Sequence, residues 1–126
     1  MTVGLASATA NSYLNVFRNT TYTAIAAVYV KLHIGDPGAS AASNASAVTT
    51  RNAITWGAPS SGSMALSSLS GYSMTTSETI SHVSLWDAST SGNFLQSAAL
   101  SVSQAVINGS TLNFTTFTLA FTPIAA

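Results

Sequence analysis

Only six side chains in this 126-residue chain carry a formal charge: Arg18, Lys31, Arg51, Asp36, Glu78 and Asp87. Soluble domains ordinarily devote about a quarter of their residues to charge; here the share is 5% and the net charge is zero. Nothing in such a surface repels a second copy of itself. Two explanations fit: the chain sits in an assembly that covers much of it, or its polar uncharged residues keep it wet. The second has material to work with, since 21 Ser and 17 Thr supply small hydroxyls.

The same arithmetic excludes several classes. Three cations cannot make the basic footprint of a nucleic-acid binder. With 47% hydrophobic residues, charge-driven disorder is excluded. A chain of this length is one domain and buries about two thirds of its extended surface. Without cysteine there is no disulfide framework, thiol nucleophile or thiolate-bound zinc. The longest apolar stretch, Ala24 to Ile34, contains Lys31 and His33 and falls short of the roughly 18 residues of a membrane span. The N-terminus lacks the basic and apolar regions of a signal peptide. Sequons at Asn19, Asn44, Asn108 and Asn113 are what a chain so rich in Ser and Thr produces by chance.

Thr2 to Phe17 reads as a helix with Thr2 as N-cap. Val3, Ala6, Ala10, Tyr13, Leu14 and Phe17 form one stripe at spacings of three and four, opposite Ser7, Asn11 and Asn15. That stripe packs either on its own domain or on a neighbouring copy. From Asn19 onward, short β-rich runs are punctuated by Gly, Pro, Asn and Ser. Val28 to Ile34 alternates, with Val28, Val30, Leu32 and Ile34 on one face and Tyr29, Lys31 and His33 on the other. Asp36-Pro37-Gly38 then suits a type II turn opened by the aspartate. Ala39 to Thr50 reads as a loop or arm with nothing to bury.

Further strands are expected over Arg51 to Trp56, over Met64 to Met74 with a bulge at Gly71, and over Thr79 to Trp86. In the last of these, Ile80, His82, Ser84 and Trp86 share a face. After the turn from Asp87 to Gly92, strands follow over Asn93 to Leu100 and Gln104 to Ile107. Asn108-Gly109 signals a type I′ hairpin. Ser110 to Phe121 changes phase between Thr115 and Thr116, which a bulge or a crossing would reconcile. The expected fold is mainly β: an antiparallel sandwich or small barrel of about seven to eight strands with one N-terminal helix. It forms a single domain over 1–126, with the helix within 1–19 and the β part over 24–126.

Catalytic chemistry has little to draw on. His33 and His82 are the histidines, and Asp36, Glu78 and Asp87 the carboxylates. Asp36 belongs to a turn where it caps backbone amides. His82 stands among many serines, yet neither a Gly-x-Ser-x-Gly elbow nor a Ser-x-x-Lys motif accompanies it. No catalytic, cofactor-binding or metal-ligating residue is assigned, and no cofactor is expected. Arg18, Lys31 and Arg51 match the three carboxylates in number as ion-pair partners. Trp56, Trp86 and His82 are candidates for an interface, and the two tryptophans for stacking a sugar ring; the alternative fate of both is the core.

Several strings carry a resemblance: Val30-Lys31-Leu32-His33-Ile34-Gly35-Asp36-Pro37-Gly38, Thr49-Thr50-Arg51, Ile54-Thr55-Trp56-Gly57-Ala58, Glu78 to Ala88, and Leu119 to Ala126. Together they resemble a family of small virion proteins of tailed bacteriophages infecting actinobacteria, commonly labelled tail fibre or minor tail proteins. The resemblance spans most of the chain and supplies no catalytic residues. It implies a non-enzymatic structural protein, assembled in the bacterial cytoplasm as a homo-oligomer, by analogy a trimer, with other tail or capsid proteins as partners. Neither nucleic acid nor a membrane span is expected. A capsid decoration protein stabilising the head, and a module binding a host surface glycan, are the alternatives.

Overall fold

The computed structural model describes residues 3–121. The elements are β1 (Gly4–Leu5), α1 (Ser7–Phe17), β2 (Val28–His33), β3 (Asn52–Trp56) and β4 (Ser63–Leu69), then β5 (Tyr72–Ser73), β6 (Glu78–Trp86), β7 (Phe94–Val106), β8 (Thr111–Leu112) and β9 (Thr118–Ala120). One antiparallel sheet runs in the order β1-β7-β6-β2-β3-β4-β9 and curls into a half-barrel; β5 and β8 form a small second sheet. The mainly β class with one short helix is as the sequence predicts.

The core lies between the two sheets. Val30 and Leu32 of β2, Ile54 of β3, and Ile80, Val83 and Leu85 of β6 pack with Tyr72 and Met74 from the small-sheet segment. The alternation of β2 holds for Val30 and Leu32. Its end departs: Ile34 turns outward at 46% exposure, and His33 of the opposite face is fully buried. The cause is the stretch 39–50, which is not an empty arm. It folds back beside β2, with Ile34 N–H donating to Asn44 O and Ser46 N–H to Leu32 O, and buries Ala41, Ser46 and Val48. Glu78 holds it there, accepting from the Ser46 hydroxyl and the Ala47 amide.

Simple periodicity fails where strands are irregular. In β6 the register against β7 slips between Ile80 and His82, so Ile80 and Val83 both reach the core although three residues apart. The partners change from Gln104 to Ala99 across that slip. Leu100 to Ser103 therefore bulge from β7, at the gap between the two strands read from sequence there. β1 covers β7 only at Gln96 and Ser97, and the bulge keeps the rest of β7 from presenting a flat edge.

The helix begins at Ser7, not near Thr2, because Gly4 and Leu5 pair with Ser97 and Gln96 as a strand. Ala6 is the N-cap and makes no side-chain cap bond; Thr2 lies outside the described residues. The run from Met64 to Met74 is two strands in different sheets, broken at Ser70 and Gly71 rather than bulged. Ser110 to Phe121 likewise splits into β8 on the small sheet and β9 on the large one, which is the crossing that the phase change implied. Asn108-Gly109 does turn the chain, with Ser110 N–H donating to Ile107 O. Only Gly109 has a positive φ, at 84°, so the turn is not type I′, which needs both residues left-handed. Nor does it join a hairpin, since β7 and β8 belong to different sheets.

Tyr72 ties the layers together. It is 1% exposed, and its hydroxyl donates to Val30 O over 2.7 Å. Burial pushes the phenol well above its ordinary value, so it stays a neutral donor. Replacing it tests this tie. Tyr72→Phe removes one hydrogen bond to a buried carbonyl and is expected to cost about 0.5–1.5 kcal/mol. Tyr72→Ala empties a core site and should cost about 3–5 kcal/mol. Urea unfolding measures both, and a Tyr72→Phe protein as stable as the parent would mean the bond carries nothing.

Candidate functional site

The side chains singled out in the sequence fall into three places. At the outer face of the β2–β6 ladder, buried polar groups form a directed chain. His33 Nδ1 lies 2.9 Å from Ser43 O, which can only accept, so Nδ1 carries the proton. Nε2 is then the acceptor for the Ser84 hydroxyl at 2.8 Å. The Ser84 oxygen in turn accepts from Trp86 Nε1–H, also at 2.8 Å. Arg51 stacks on the Trp86 ring, its guanidinium carbon 3.7 Å from the centroid, in cation–π geometry. Phe94 packs on the same indole at 5.7 Å. Trp86 is thus already engaged at its N–H and across a ring face, and that face is not offered to a sugar.

Arg51 does a second job. Its Nη1 donates to Ala88 O at 3.1 Å and Ser91 O at 2.6 Å, pinning the turn that follows β6. Asp87 closes that turn from inside: Oδ1 accepts the Asn93 amide at 2.6 Å and Oδ2 accepts Asn93 Nδ2 at 2.8 Å. These bonds, helped by Arg51, hold its carboxyl below the ordinary value. Each of the three carboxylates accepts a backbone amide: Asp36 that of Gly38, Glu78 that of Ala47 and Asp87 that of Asn93.

The second place is the turn after β2. Asp36 Oδ1 accepts the Gly38 amide at 2.9 Å, Pro37 is buried, and Gly38 has φ 75°. Asn44 Nδ2 donates to Asp36 O at 2.8 Å and so holds the folded-back loop to the turn.

The third is the helix. Thr9 is its buried residue, and Ala6, Ala10 and Tyr13 are half-buried. Tyr13 meets Tyr22 at 5.6 Å and Phe121 at 6.1 Å. The rest of the stripe faces away: Leu14 is 63% and Phe17 90% exposed.

Trp56 stands apart from these, and His82 sits beside the first of them as the cross-strand partner of His33. Ser81 Oγ lies 2.8 Å from His82 Nδ1, the same separation as Ser84 Oγ from His33 Nε2; the Ser84 hydroxyl is fully buried and already accepts from Trp86. Ser81 and His82 are sequence neighbours, and His82 Nε2 has no hydrogen-bond partner among the described residues, so nothing orients the ring as a base. Trp56 packs edge-on against Phe117 at 5.6 Å, and its Nε1 is likewise buried without a partner. No group of three or more metal-ligating side chains occurs among the described residues, and no helix there is long and apolar enough to cross a membrane. Sequence reasoning missed Ser84 and the Arg51–Trp86 contact. Ser84 could have been suspected from its place two residues from Trp86 on one face; Arg51 gave no signal.

A family model described as podophage GP4 fiber I protein gp80 matches residues 4–122. No curated protein matches the chain.

Burial lowers the pKa of His33 below 6.5; the carbonyl of Ser43 opposes this, while Lys31 and His82 reinforce it. The unfolded chain then binds a proton more readily than the folded one. Stability from this group is complete above about pH 7, falls as pH drops through 6.5, and levels off below the folded pKa. Asp87 acts lower: its contribution is present above 3.8 and is lost as pH falls through its depressed folded value. Thermal melts between about pH 7.5 and pH 5 should show Tm falling with pH. His33→Asn, less stable throughout, should flatten that slope; an unchanged slope would assign it to another group.

Proposed function

Because the chain belongs to the podophage GP4 fiber I protein gp80 family, a family of phage fibre proteins, we propose that it is a non-enzymatic building block of a tail fibre, joined to copies of itself. The match over residues 4–122 carries this reading. A fibre is long, whereas a compact domain of this size has a radius of gyration of only about 14 Å. A domain of this size suits a fibre whose length comes from many such domains placed in succession. Family membership also favours the fibre over a capsid decoration role.

The helix supports self-association. Leu14 and Phe17, three residues apart and so on one side of the helix, are 63% and 90% exposed, and Ser7–Phe17 contains no charged residue. An exposed apolar stripe of this kind marks an interaction surface, and an uncharged one meets its own copy without repulsion. The proposed assembly is a trimer made in the host cytoplasm, and the proposed host an actinobacterium, both on the strength of the sequence resemblance.

Two measurements test the reading. Immunogold labelling of purified virions should place gold on the tail; gold spread over the head would replace the fibre by a decoration role. Light scattering on the purified protein should give a multiple of the chain mass, three for a trimer. The double variant Leu14→Ser, Phe17→Ser should run as a folded monomer. An undiminished oligomer would remove the helix from the interface.

A further inference from the structure

Asn108-Gly109 turns the chain between β7 and β8, and both residues are exposed. We propose that this pair is a site of spontaneous, base-promoted deamidation, through which the folded chain converts a neutral side chain into a carboxylate with time.

Two groups have to meet for this reaction: the carboxamide carbon of Asn108 and the backbone nitrogen that follows it. The carboxamide has no hydrogen-bond partner among the described residues; the bond at Asn108 is made by its backbone amide, to Ser77 Oγ at 3.1 Å. The nitrogen belongs to a glycine, so no side chain crowds the approach and the backbone rotates freely to make it. Beyond its chain neighbours, nothing lies within 4 Å of where a Cβ would stand on Gly109. What opposes the reaction is one hydrogen bond, from Gly109 N–H to Met74 O at 2.8 Å, which must open before the nitrogen can attack.

The other asparagines lack this combination. The carboxamides of Asn15, Asn44, Asn52 and Asn93 are held in hydrogen bonds. Asn11, Asn19 and Asn113 are followed by Ser, Thr and Phe, whose side chains hinder the next amide.

Water alone balances the chemistry. Hydroxide removes the Gly109 amide proton, and the nitrogen attacks Asn108 Cγ. A bond forms between them, Nδ2 leaves as ammonia after taking up a proton from water, and a cyclic imide remains. Water then opens the imide at either carbonyl. One opening gives aspartate on the original backbone; the other routes the backbone through the former side chain and gives isoaspartate. Either product brings a negative charge to a chain whose net charge is zero. That charge arrives on a turn close to Glu78, which follows Ser77 and pairs with Val106. Isoaspartate also lengthens the main chain where Gly109 N–H and Ser110 O both bond to the backbone of Met74, a core residue.

Incubation of the full chain in warm, mildly alkaline buffer provides the test, read by peptide mass mapping and by labelling with an isoaspartyl methyltransferase. The mass gain of an amide turned acid should appear first at Asn108 and speed up with pH, and the methyl label should map to the same peptide. Opening a hydrogen bond of ordinary net strength slows a reaction by up to about tenfold, so the folded chain should react within that factor of the same chain in guanidinium. Asn108→Gln, confirmed folded by its melt, should lose both signals there, because the longer side chain closes the ring less readily. A folded chain that reacts more than about a hundredfold slower than the unfolded one, that reacts first at another asparagine, or whose rate ignores pH would overturn the proposal. The result is separate from the fibre assignment, which the labelling of virions decides.

Discussion

Along the registered pairs from Tyr29–Trp86 to His33–His82, β2 and β6 are covered on both sides. Val30, Leu32, Val83 and Leu85 fill one face, and on the other His33 and Ser84 are fully buried. Antiparallel strands commonly keep one face wet. Here the second face is closed by the loop that folds back over His33 and by Arg51 lying on Trp86. That closure is tolerable only because each polar group on the path from Ser43 to Trp86 has a partner of the right kind. A buried network of this sort rigidifies when satisfied and is costly when half satisfied. The neutral state of His33 is therefore a condition of the fold, and it couples the loop after β2 to the turn after β6.

The scarcity of charge becomes intelligible on this frame. Each carboxylate fastens a loop to itself or to the sheet by accepting backbone amides, and Arg51 fastens a turn by donating to two carbonyls. Charge-assisted bonds to backbone are about twice as strong as neutral ones, whereas exposed ion pairs contribute little. A β protein without disulfides gains more from charges placed in its loops than from charges scattered over its surface. The remaining wet surface is left to Ser, Thr and Asn, which do not oppose contact between copies.

Much of this architecture was legible in the chain, for physical reasons that can be named. Val30 and Leu32 alternate because β2 is regular there, and Asp36-Pro37-Gly38 announces its turn because each residue has a local conformational role. What could not be read depended on partners distant in sequence. The burial of His33 comes from residues ten and fifty-one positions away. The slip in β6 is set by the bulge in β7, and the start of the helix by Ser97 and Gln96, which claim Gly4 and Leu5 for a strand. The tryptophans stand out in the sequence by type, but their surroundings do not. Nothing local to Trp86 reveals that Arg51, thirty-five positions earlier, covers it.

The helix shows how such a domain can meet its copies. One side of α1 rests on its own domain, with Thr9 buried and Tyr13 packed on Tyr22; another side exposes Leu14 and Phe17. Copies associating through that second side would cover the largest apolar groups the fold leaves in water and would fix the helix against its own domain. Charge placed in loops and an uncharged helix serve the same end, since neither sets copies against one another. A small domain with few charges, rigid turns and an apolar helix end would on this logic function through repetition.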